Sequence, residues 1–136
     1  MTYQIDPAST ETQIIGLVPQ CIIDYYSLKC VSSEVYLPPG VLKHLKKRGH
    51  WDDFIKYYED IPEMIAIPDY VGQNPKEPHT IEIYKIIADH VILPIKLNEA
   101  DGMFMSSFYI LDNGADKIAK RLRTGRIFPF AHFSQT

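Results

Sequence analysis

Apolar positions recur along this chain in two periods, and the change from one to the other falls near residue 80. In residues 39 to 48, Val41, Leu42 and Leu45 share one face of a helix. Pro39 suits that helix's first turn and Gly49 its stop. The same reading places a helix from Pro19 through Cys21, Ile22, Ile23 and Tyr26. Another starts near Trp51 and carries Phe54, Ile55 and Tyr58, and Pro62 restarts it as a short turn through Met64 and Ile65. Residues 12 to 16 are a short apolar run, and residues 35 to 37 read as a short strand ended by Pro38 and Pro39. From residue 80 the pattern becomes strand-like, over residues 80 to 87, 91 to 97 and 103 to 111, all rich in Ile, Val, Phe and Tyr. Ala88-Asp89-His90 joins the first pair, and residues 98 to 102 join the second with a good turn dipeptide. Pro94 cannot donate to a ladder, so its strand should have an edge or a bulge. Asp112 or Asn113 caps a last helix over residues 115 to 124, which Gly125 ends. The expected fold class is α+β, with N-terminal helices packed on a three- or four-stranded antiparallel β-meander and a basic C-terminal helix closing it.

Composition narrows this further. A chain of 136 residues with 46% apolar residues fits one packed domain and is too apolar for a disordered chain. The domain is expected over residues 13 to 128, with a flexible segment at 1 to 12 and a tail at 129 to 136. No apolar stretch is long enough to span a bilayer and no signal peptide is visible, so the expected setting is cytoplasmic, with no membrane partner. Cys21 and Cys30 are too few for a disulfide framework or a zinc knuckle and read as structural thiols.

Charge changes the picture more. The net charge of -3 argues against a nucleic-acid partner, but nine of the 14 basic residues fall in two short segments. One holds Lys43, Lys46, Lys47 and Arg48; the other holds Lys117, Lys120, Arg121, Arg123 and Arg126. A phosphate backbone responds to such local potential more than to the whole-chain balance. Each segment could equally be the solvated face of a helix. On the helix of residues 39 to 48, His44 and Arg48 share one face at the margin of the apolar stripe, a suitable place for an acid–base imidazole beside a phosphate-binding guanidinium. The plainer reading is a half-buried histidine and a surface arginine. Arg121 sits at the margin of the stripe made by Ile118 and Leu122. Alternation in residues 103 to 111 groups Phe104, Ser106, Phe108 and Ile110 on the core face, leaving Met105, Ser107 and Tyr109 opposite. No Gly-rich phosphate loop, nucleophile elbow or metal-spaced histidine pair occurs, so neither a metal nor another cofactor is expected.

The run from Val35 to Arg48 (VYLPPGVLKHLKKR) resembles the opening of the phage-associated nuclease domains grouped with barnase, EndoU, colicin RNases and RelE. So do the stretches IPEMIAIPDYVG at residues 61 to 72 and Asn74-Pro75, then Thr80-Ile81-Glu82, Ile95-Lys96-Leu97, Ser106-Ser107-Phe108-Tyr109 and RLRTGR at residues 121 to 126. The resemblance spans roughly residues 13 to 128, and its order is more specific than any one piece. It implies a barnase/RelE-like fold and metal-independent RNA cleavage, in phage, mobile-element or toxin settings. Transferred position by position, it implies a catalytic set of His44, Lys47, Arg48, Ser107, Tyr109 and Arg121. Lys43, Lys46, Lys117, Lys120 and Arg123 would then bind RNA. Similar domains often follow the helical arginine directly with a second histidine; here Gly49 intervenes before His50. The implied partners are RNA, tRNA included, and an immunity or antitoxin protein on the toxin reading. A catalytically inactive module of the same fold, binding RNA or protein, is the alternative.

Overall fold

A computed structural model describes residues 3–98 and 102–134. The chain begins with strand β1 (Gln13–Leu17), helix α1 (Gln20–Tyr26) and strand β2 (Glu34–Leu37). Three helices follow: α2 (Pro39–Lys47), α3 (Trp51–Tyr57) and, after a 3-10 turn, α4 (Ile61–Ala66). Strands β3 (Tyr70–Gly72), β4 (Thr80–Ile86), β5 (His90–Asn98), β6 (Gly102–Met105) and β7 (Tyr109–Ile110) come next. Helix α5 (Gly114–Arg123), strand β8 (Ile127–Pro129) and helix α6 (Phe130–Ser134) complete the order. Among the described residues, no helix is long and apolar enough to cross a membrane.

The strands form one mixed sheet in the order β1-β2-β6-β5-β4-β3-β8, with β7 also paired to β5. The meander β4-β5-β6 is antiparallel as expected. The three- or four-stranded sheet is corrected to eight strands among the described residues. Strand β2 joins β6 in parallel and brings β1 with it, while β3 and β8 extend the other side. The β5–β6 turn expected at residues 98 to 102 includes 99 to 101, which lie outside the described residues. So do the chain-end residues 1, 2, 135 and 136 of the expected flexible segment and tail.

Strand alternation sends Ile81, Ile83, Leu93, Ile95, Met103 and Met105 to one face, where all are fully buried. Leu42 and Leu45 of α2, Phe54 of α3 and Ile61 and Ile65 of α4 enter the same core. Burying each such side chain contributes about 1.5–3 kcal/mol. The core face assigned to residues 103 to 111 is corrected here. Met103 and Met105 point into the core and Phe104 points away, yet Phe108 is also buried. The chain leaves the ladder between β6 and β7, opposite Pro94, whose carbonyl accepts bonds from the Ser106 N–H and hydroxyl. That interruption changes the register, so one continuous alternation does not hold.

The opposite face carries Tyr84 and Ile92, covered by Ile118 of α5 together with Leu111 and Ile127. The two basic helices therefore lie on opposite sides of the sheet. Helix α5 begins after Asn113, which stands at the expected cap position in a left-handed conformation and makes no side-chain cap bond. Residues 129 to 134 do not trail from the body, since Phe133 is only 5% exposed and lies in the main core.

Candidate functional site

The sequence Thr80-Ile81-Glu82-Ile83-Tyr84 alternates, so Thr80, Glu82 and Tyr84 project on the face opposite Ile81 and Ile83. Glu82 is 4% exposed, and a carboxylate that deep must be paired. Arg126 supplies the pairing, with Nε 3.0 Å from Oε1 and Nη2 2.7 Å from Oε2. The Tyr84 hydroxyl donates to Oε1 at 2.9 Å, and Arg121 Nη1 donates to the Tyr84 oxygen at 2.8 Å. Two arginines are thus tied to one carboxylate, Arg126 directly and Arg121 through a phenol. Gly72 stands opposite Glu82 in the β3–β4 pair. A Cβ there would collide with the Arg126 carbonyl oxygen, so only glycine lets the Arg126 backbone approach this closely.

Arg121 and Arg126 line a groove of about 760 Å³, together with Lys117 and Lys120 of the same basic segment. Tyr25, Tyr26 and Phe128 line the same groove, as do Gln73 and Pro75. Burial, reinforced by the charge of Glu82, raises the Tyr84 phenol well above its ordinary pKa, and the Tyr109 phenol is raised by the same causes. Both hydroxyls are therefore donors near neutral pH and cannot serve as bases. Its bonds to Glu82 raise Arg126 further, keeping it cationic.

Tyr109 lies on this face, opposite Ile92, and the charges of Glu82, Arg121 and Arg126 all reach it. The His50 ring stacks on Tyr109 with centroids 5.1 Å apart and planes 28° from parallel. Nearby, the Ile110 N–H donates to Asp53 Oδ2, fixing α3 beside β7. The α2–α3 turn therefore brings one imidazole to the edge of the polar face, and it belongs to His50. His44 and Lys47 of α2 and Arg48 at its C-cap are exposed, α2 packs on the other face, and the His44 side chain has no hydrogen bond, ion pair or ring contact among the described residues. Lys43 and Lys46 border a separate depression with residues 7 to 10, and Lys46 lies 4.3 Å over the Trp51 ring. Ser107 is half-buried between β6 and β7, and Arg123 is exposed on α5. Of the sequence-derived set, Tyr109, Arg121, Lys117 and Lys120 share this face with the groove, whereas the α2 set stands apart.

The family model described as phage-Barnase-EndoU-ColicinE5/D-RelE like nuclease3 matches residues 13–118. The chain belongs to this nuclease family. Comparison with curated proteins and with solved structures gave no match. The nuclease match contains His50, Glu82, Tyr84 and Tyr109, while Arg121 and Arg126 follow it in the chain. From the sequence, Arg126 was read only as one of a basic segment and Glu82 only within a matching stretch; neither was given a site role, and Tyr84 and the contact made by His50 were not singled out. A signal for Glu82 existed, since an acid between two isoleucines inside a strand needs a partner. Among the described residues, no three His, Cys, Asp or Glu side chains gather as a metal site would require.

Proposed function

We propose that the polar sheet face is the active site of a metal-independent endoribonuclease, with its substrate phosphate drawn to Arg121 and Arg126. The observation that carries this reading is the Arg121–Tyr84–Glu82–Arg126 network beside the basic groove, on the face that also presents Tyr109 and its stacked His50. In the reaction, a ribose 2′-hydroxyl attacks the adjacent phosphorus and the bond to the 5′-oxygen breaks. The hydroxyl gives up its proton and the leaving oxygen gains one, so the products are a 2′,3′-cyclic phosphate and a free 5′-hydroxyl. His50 takes the imidazole's part in moving these protons. Arg121 and Arg126, with Lys117 and Lys120, stabilise charge on the phosphoryl oxygens. Tyr109 positions the substrate by hydrogen bonding, and Glu82 acts as a positioning residue for both arginines. His44, Lys47 and Arg48 stand outside this site and take no part in it.

The test is incubation of single-stranded RNA with the protein in excess EDTA, with the product ends identified. Cleavage to cyclic-phosphate ends should persist in chelator, and His50→Ala should lower its rate about 100-fold or more. His44→Ala should leave it nearly unchanged. Loss of cleavage in chelator, or a large effect of His44→Ala with none of His50→Ala, would overturn the assignment. A second reading, RNA binding without cleavage, is favoured by one feature: Glu82 already accepts three hydrogen bonds and is poorly placed to take a proton.

A further inference from the structure

Part of the groove lining is aromatic, and the proposed RNA cleavage does not account for it. Tyr25 is 49% exposed and lines the groove. Its ring meets Phe133 and Tyr26 at 4.9 Å, His132 at 5.3 Å and Phe128 at 6.1 Å, all edge-on. The Tyr25 hydroxyl lies 3.3 Å from His132 Nε2. Phe128 also lines the groove, and the His132 ring stacks on it at 4.3 Å with planes only 11° apart. These rings are held from several sides, so presenting their aromatic surface costs little further ordering. Phe128 and His132 also follow the stretch matched by the family model.

A phosphate alone would need only the cations. A groove lined both by aromatic rings and by four cationic side chains fits a nucleotide whose base leaves its stack and lies on the rings. We infer that Tyr25 and Phe128 form a nucleobase subsite, which binds an unpaired base of single-stranded RNA while the adjoining phosphate meets Lys120, Arg121 and Arg126. Gln73 also lines the groove, and its side-chain amide has both a donor and an acceptor for a base edge. Duplex RNA keeps its bases stacked inside the helix and cannot fill this subsite without opening. The inference rests on the proposed reading of the groove and specifies its substrate as unpaired RNA.

The experiment measures affinity, apart from cleavage, of the full chain for a fluorescent tetranucleotide with 2′-O-methyl riboses, which cannot undergo 2′-hydroxyl attack. The same oligonucleotide with abasic sites is the comparison. For the wild type, removing the bases should weaken binding about 5- to 100-fold. Tyr25→Leu, which keeps apolar bulk, should weaken binding of the intact strand while changing the abasic strand little; Tyr25→Phe should bind both like the wild type. Equal weakening of intact and abasic strands by Tyr25→Leu, or no difference between the strands in the wild type, would overturn the subsite. Coupling between Tyr25 and the bases in a protein that fails to cut unmodified RNA would support the subsite and overturn the nuclease mechanism. Cleavage without that coupling would do the reverse.

Discussion

The two faces of the central sheet are built from the same strands but to opposite ends. Ile81, Ile83, Leu93 and Ile95 fill one face under α2, α3 and α4, and none of them retains solvent exposure. The other face takes the alternate residues of those strands, Glu82, Tyr84, Ile92 and Pro94, and α5 covers only part of it. The first face gains stability from packing. The second keeps a carboxylate and two arginines at the margin of a groove, where desolvation costs stability unless each charge is paired. A buried apolar layer tolerates such a cost on its other side, and a strand's period of two makes both faces available from a single run of residues.

The contrast breaks first on the apolar side. Phe54→Ala removes a fully buried ring that meets Phe108 edge-on and should cost about 3–5 kcal/mol in urea unfolding. On the polar side, Glu82→Ala strands the arginine that it pairs with and should cost about 3 kcal/mol. Replacing both partners, Glu82→Met with Arg126→Met, should restore most of that stability while leaving cleavage abolished. A double variant as unstable as the single one would show that the pair is a packing element like any other. The smallest effect concerns pH. Asp89, in the β4–β5 turn, accepts bonds from Tyr57 and Lys56 of α3 on the apolar side. Those bonds, Tyr57's first, hold its carboxyl below the ordinary value of 3.8. A lowered folded-state pKa means the stabilisation is present above pH 3.8 and is lost as pH falls through the lowered value. Asp89→Asn should therefore flatten the decline of melting temperature below pH 4 and slightly lower stability near neutrality.

Local features were legible in the sequence where a punctuating residue fixed them. Helix α2 starts at Pro39, and Gly49 adopts φ 77° just after it ends. Pro94 marked the place where β5 exchanges one neighbour for another. What the sequence did not disclose depends on distant partners. The parallel pairing of Val35 with Met103 joins residues far apart in the chain, and neither run announces the other. The same limit governs the site. Arg121 stood out beside an apolar stripe and Tyr109 on the strand face opposite the apolar one, whereas Arg126 gains its meaning only when Gly72 lets its backbone approach β3 opposite Glu82. His44 looked better than His50 on a helical wheel because a wheel shows the margin of a stripe and not which sheet face that margin meets. The turn after α2, and not the helix itself, carries an imidazole to Tyr109.

The central claim is that nucleic acid meets the polar face under α5 and not the exposed side of α2. Its most direct test is the salt dependence of affinity for a non-cleavable single-stranded RNA, compared between two charge-reversed pairs. Lys120→Glu with Arg121→Glu should weaken binding and flatten the slope of log K against log salt by about 1.4, at about 0.7 per lost phosphate contact. Lys43→Glu with Lys47→Glu should leave that slope at the wild-type value. A flattened slope for the α2 pair, with an unchanged slope for the α5 pair, would contradict the account.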